Sequence, residues 1–190
     1  MCPGALLAEH GLMRLAPAVP ILRFGTITTI ALLMGLFLAH VLEMPAKLDM
    51  QGSEYVFQQT HLYGFFGDAG AVLEPLALLG SLGLAAASRR GRVAALVAAA
   101  CTVGMLLAFA LGNQPANLAF SQAGATPPDD WQDLRVRWEA SHAASGVLAS
   151  IAFTSLLVSA LRTPGPGTAS SNREGRASRP RDAPSPRVKR

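Results

Sequence analysis

Residues 24–42 read FGTITTIALLMGLFLAHVL, nineteen positions without a charge. At ~1.5 Å per residue, a helix over that run is long enough to cross the ~30 Å of a bilayer's hydrocarbon. Small residues recur at Ala31, Gly35 and Ala39, a spacing of four that offers a seam to a second helix backbone. The run closes on HVLEMP. There His40 and Glu43 stand at i and i+3 on one face, and Pro45 predicts the end of the helix.

The remaining chain repeats the signal. Of 190 residues, 51% are hydrophobic and 15% charged, whereas a soluble domain carries about 25% charged residues. Further apolar runs at 65–87, 93–111 and 143–161 complete four spans. The fold class is therefore all-α, an integral membrane four-helix bundle over residues 24–161. Residues 1–23 lack a clear period and read as a loose cytoplasmic lead, and the first span is expected to stay uncleaved. Residues 162–190 hold eight basic residues against Glu174 and Asp182, and read as a disordered basic tail. The net charge of +4 thus belongs to a tail, and nothing resembles a surface that reads nucleic acid. Cys101, mid-span, reads as a packing residue, with a disulfide to Cys2 implausible.

Between the spans lie three connections. Residues 47–60 are polar, with Tyr55, Phe57 and Tyr63 suited to the membrane–water boundary. SRRGR, 88–92, is a short basic turn. The third span shows Ala100, Gly104, Ala108 and Gly112 at intervals of four, then ends in GNQPAN. Residues 121–128 read as a loop, and Pro127-Pro128-Asp129-Asp130 as a helix start with acids at the positive dipole end. An outer helical extension, 129–142, would then feed the fourth span as one rod about 50 Å long.

Charge orients the bundle. Arg89, Arg90 and Arg92 mark the middle turn, and the tail is basic, while each of the other two connections is net −2. The positive-inside rule puts both termini in the cytoplasm of a multi-pass cell-membrane protein. The outer ends of all four helices then carry polar groups and the inner ends almost none, so a polar cavity is expected in the outer half.

Candidate residues follow from that asymmetry. Trp131, Arg135, Trp138 and His142 fall at offsets 0, 4, 7 and 11, one stripe on a helix of about 100° per residue. Glu74, deep in the second span beside Pro75, either lines a pocket or makes a structural hydrogen bond or ion pair. Asp68, nearer the boundary, reads as solvated there. His40 with Glu43 suits proton transfer, or with His142 and Glu74 would give two imidazoles and two carboxylates. A metal needs three or four ligands in one place, and no metal site is assigned. Asn113 and Asn117 around Pro115 either cap the third span or offer amides to a ligand. All four Trp and Tyr side chains lie on the outer side, as an interfacial belt would have them.

Two motifs carry a resemblance: Asn113-Gln114-Pro115-Ala116-Asn117 after the third span, and Trp131…Trp138-Glu139-Ala140-Ser141-His142 entering the fourth. With the four spans they resemble the anthrone oxygenase-like family of small membrane proteins over about residues 24–161. Members often have a basic residue three positions after the histidine, where this chain has Ser145. The resemblance implies oxidation of a flat aromatic or quinol-like molecule by dioxygen. It implies His142 or Glu74 as base. Asn113, Asn117 or Arg135 would stabilise the enolate oxygen, and Trp131 and Trp138 would stack on the ring, with His40 and Glu43 in the same pocket. Membrane lipids and an apolar or aromatic small molecule are the implied partners; cofactor and oligomeric state are not readable. Other classes fit the same residues: a non-enzymatic membrane subunit, a lipid- or small-molecule-binding bundle, or a carrier coupled to protons through Glu74.

Overall fold

The computed structural model describes residues 18–124 and 126–162. The lead before residue 18, Cys2 and the basic tail after Arg162 lie outside them. The described residues form six α-helices: α1 (Ala18–Leu48), α2 (Gly52–His61), α3 (Gly64–Ala87), α4 (Arg92–Ala108), α5 (Gln114–Ala123) and α6 (Trp131–Leu161). A π-helical turn, Phe109–Asn113, joins α4 to α5 so that the two form one rod. No strand occurs among the described residues. Four rods, α1, α3, α4–α5 and α6, are long and apolar enough to cross a membrane, and the chain is an integral membrane four-helix bundle. Phe24, Phe65, Val93 and Leu111 stand exposed on its outside, an apolar coat that suits acyl chains and not water.

The bundle runs up and down with each span beside its neighbours in sequence: α1 packs on α3 and α6, and α4 packs on the same two. The reason is visible in α1. Its buried residues Thr26, Ile30, Leu33, Phe37 and His40 recur at alternating steps of four and three, the seam of a left-handed coil. On α6 the stripe is Leu134, Trp138, Ser145, Ala149, Ala152 and Leu156. The expected seam at Ala31, Gly35 and Ala39 lies elsewhere, since a Cβ on Gly35 would meet nothing within 4 Å. The third span's glycines do serve close approach. A Cβ on Gly104 would come within 2.9 Å of Leu148, and one on Gly112 would collide with Ser141.

Several boundaries differ from the sequence expectation. Residues 18–23, read as lead, are the first turns of α1. Pro45 does not end α1, which runs one further turn to Leu48. The terminal carbonyls are satisfied from outside: Arg135 Nη1 donates to the carbonyls of Lys47, Leu48 and Met50 at 2.9–3.3 Å. The polar connection 47–60 contains α2, whose Gln51 N–H donates to Glu54 as in a capping box. Pro115 does not stop the third span, because the wider π turn before it moves the carbonyl that its ring would strike. The loop read at 121–128 begins only after Ala123, and the rod of α6 begins at Trp131, leaving Pro127–Asp130 outside it.

The two ends of the bundle differ. One closes on the Ser88–Gly91 turn, and Arg92 Nε caps the last turn of α3 through the Ala85 carbonyl at 3.0 Å. At the other, the cap end, α2 packs against α5 and α3.

Candidate functional site

Inside the cap end lies a cavity of about 520 Å³, the size of a small-molecule pocket. All four rods and α2 contribute to it. Leu33, Phe37, Phe66, Phe109 and Phe120 give it apolar walls; His40, Glu74, Asn117, Trp138 and His142 give it polar ones.

His40 and His142 meet on its wall, ring centroids 4.4 Å apart and edge to face. The indole of Trp138 lies 3.8 Å from the His142 ring and meets His40 edge-on at 5.1 Å. His40 is 3% exposed, and its Nδ1 has no hydrogen-bond partner.

The asparagines hold the other two rings in place. Asn113 Nδ2 donates to the Trp138 carbonyl at 3.1 Å and lies 2.6 Å from His142 Nδ1. His142 Nδ1 also lies 3.1 Å from the Trp138 carbonyl, so it accepts from the Asn113 amide in one ring tautomer and donates to that carbonyl in the other. Reversing the amide would set its oxygen against the Trp138 carbonyl. Asn117 Oδ1 accepts from Trp138 Nε1 at 2.8 Å. The two sequence motifs therefore interlock: Asn113 fixes His142, and Asn117 fixes Trp138. The closeness at Gly112, where a side chain would strike Ser141, makes the interlock sterically feasible.

Glu74 faces the same space from α3. It is 6% exposed, and it has no hydrogen-bond or ion-pair partner among the described residues. A buried carboxyl normally has one, so Glu74 presents an unspent acceptor to whatever fills the cavity.

Other candidates stand elsewhere. Trp131 packs against Gly52 of α2, where a Cβ would lie 2.9 Å from the indole, and stacks on the Arg135 guanidinium at 4.7 Å. Arg135 is committed to the end of α1. Neither lines the cavity. Glu43 accepts the Tyr63 hydroxyl instead of joining His40. The stripe is thus split in function, its first half fastening the cap and its second half lining the cavity. Among the described residues no three His, Cys, Asp or Glu side chains are grouped to hold a metal. Asp68 is exposed at the rim.

A second polar group, missed in the sequence, sits above the cavity. Lys47, 1% exposed, pairs with Glu139 at 3.1 Å and lies over the rings of Trp138 and Tyr63 at 4.7 and 5.1 Å. Tyr55, fully buried, donates to Glu139 at 3.1 Å, while Glu139 Oε2 has no hydrogen-bond partner. Burial and the neighbouring Glu139 push the Tyr55 hydroxyl well above its ordinary range; burial and Glu43 do the same for Tyr63. Both remain neutral donors. The interfacial belt expected of Tyr55, Tyr63 and Trp138 is a buried network, because each polar tip finds a partner inside the protein.

No family model, curated protein or solved structure matches the chain.

Proposed function

We propose that the cavity binds a flat aromatic or quinol-like molecule and oxidises it with dioxygen, the activity implied by the resemblance to anthrone oxygenase-like proteins. One observation carries the reading. Gln114 and Asn117 of one resembling motif and Trp138 and His142 of the other line one cavity, opposite a buried carboxyl without a partner.

The chemistry uses the cavity's own groups. An anthrone's methylene carbon, opposite its carbonyl, is acidic, and the Glu74 carboxylate takes a proton from it. The negative charge moves to the carbonyl oxygen, where His142, in the tautomer that carries its proton on Nε2, donates to the forming enolate. The enolate carbon gives its electron pair to dioxygen, forming a C–O bond, and the Glu74 proton completes a hydroperoxide. Loss of the second C–H proton then breaks the O–O bond and expels hydroxide, which leaves as water. In sum, CH2 and O2 become C=O and H2O. Asn113 and Asn117 position His142 and Trp138, and the Trp138 indole offers a face to the substrate ring. Arg135, named by the resemblance for the enolate oxygen, is replaced in this role by His142.

The same reading places the cap end on the non-cytoplasmic side, because Arg89, Arg90 and Arg92 cluster at the opposite turn.

The test is quinone formation from an anthrone in membranes holding wild-type protein or single variants at equal amounts. His142→Ala is expected to lower turnover by about 10²–10³, the worth of one oxyanion donor. Glu74→Gln is expected to lower it by about 10²–10⁴. Unchanged turnover in His142→Ala removes that residue from the mechanism, and an inactive wild type removes the reaction.

A further inference from the structure

The glycines of α3 fall into two groups. Gly80 backs onto α1, where a Cβ would lie 2.5 Å from Thr26 Oγ1, and one on Gly83 would meet Leu22 at 3.3 Å. At Gly64, Gly67 and Gly70 a Cβ would meet nothing within 4 Å. No neighbouring helix requires those three to be small, yet all border the cavity. Gly64, Gly67, Ala71 and Glu74 recur at steps of three and four, so they share one helix face. From the rim inward that face carries only glycine, Asp68 and alanine until it reaches Glu74, buried and unpartnered.

The rim lies between two neighbouring rods, with Thr60 of α2 also exposed on it. Gly64, Gly67 and Asp68 are exposed on one side of it, Phe109 and Ser121 on the other. Helix α3 packs along α4, but the π turn and α5 make at most slight contact with it. The rods therefore part at the cap end, leaving a gap between them. Phe109 at its edge and Leu111 on the same turn are exposed apolar residues, as a wall against acyl chains would be.

We infer that this gap is a lateral doorway, through which a molecule dissolved in the bilayer reaches Glu74 and His142. The inference rests on the proposed small-molecule site and names its ligand class. The ligand partitions into lipid, carries a carbonyl or hydroxyl for the polar wall, and is not drawn from bulk water. The glycines keep the doorway wide enough for a ring system.

The test uses the full chain in phosphatidylcholine vesicles. Trp131→Phe leaves Trp138 as the sole indole, a fluorescent reporter within the cavity. Two probes are compared, a decyl-tailed benzoquinone dissolved in the vesicles and the water-soluble anthraquinone-2-sulfonate. The tailed quinone is expected to quench Trp138 saturably, and the sulfonate about tenfold more weakly or not at all. Gly67→Phe is expected to weaken the tailed quinone's quenching about tenfold. Gly25→Phe, equally unobstructed but near the opposite end of the bundle, should leave it unchanged. Gly67→Leu replaces the phenylalanine variant if circular dichroism shows misfolding. Equal quenching by the sulfonate, or a plugged variant that matches Gly25→Phe, overturns the doorway. Saturable quenching by neither probe instead removes the small-molecule site beneath it.

Discussion

At the Ser88–Gly91 end, alanines face alanines: Ala85, Ala95, Ala98 and Ala152 are all buried. Helix backbones close on one another there, and Ile30 and Leu156 fill the remaining space. At the cap end the buried side chains are Tyr55, Tyr63, Phe120 and Trp138, with a lysine and a glutamate between them. Rings of that size hold the rods apart, and the cavity is the space they do not fill. The difference teaches where each kind of substitution will be felt. Close contact sustains one end, whereas paired polar groups sustain the other.

The largest test strikes the ion pair. Lys47 and Glu139 side chains are 1% and 3% exposed, so removing one partner leaves the other charge buried. Lys47→Met is expected to destabilise the protein by about 3–5 kcal/mol, read as a lowered unfolding midpoint in detergent. Adding Glu139→Gln removes the second charge while keeping an acceptor for Tyr55, and should recover most of the loss. A single variant no worse than the exposed control Asp49→Asn would show that water reaches the pair. The cap end would then not depend on paired buried charge.

Next in size is an insult to the closed end. Gly80→Val would drive a branched side chain into Thr26, whose hydroxyl is already bonded to the Leu22 carbonyl at 2.7 Å. The expected cost is about 1–3 kcal/mol, measured by the same unfolding midpoint. An unaltered midpoint would mean that α1 and α3 are not in backbone contact there, and the contrast between the ends would fail.

Much of this was legible in the sequence. An uncharged run such as 24–42 has few other fates, and Glu74 announces itself as an ionisable group inside such a run. The convergence of His142, Asn113 and Asn117 at one polar end also follows from polarity and topology. What remained hidden depends on tertiary contact. Pro45 and Pro115 are local signals to stop, and each is overridden by a group the local sequence does not contain or by a changed helix register. Tyr55 looks like a boundary residue until its partner, 84 positions away, is brought to it. Lys47 belongs by sequence to a polar connection, and its partner Glu139 is brought to it only by the fold. The split of the Trp131–His142 stripe was unreadable as well, since periodicity gives the face of a helix and not what lies opposite each turn.

The smallest effect has the opposite sign. Gly67 sits within α3 with open space where a Cβ would go, so alanine there should cost nothing in contact. Glycine in a helix interior forgoes about 0.5–1 kcal/mol relative to alanine through its freedom in the unfolded chain. Gly67→Ala is therefore expected to raise the unfolding midpoint slightly, while valine at Gly80, in the same helix, lowers it. A fall on Gly67→Ala would mean that something packs on that face, closing the gap between α3 and α5. A rise shows that the protein forgoes stability at the rim of its cavity, which packing alone gives no reason to do.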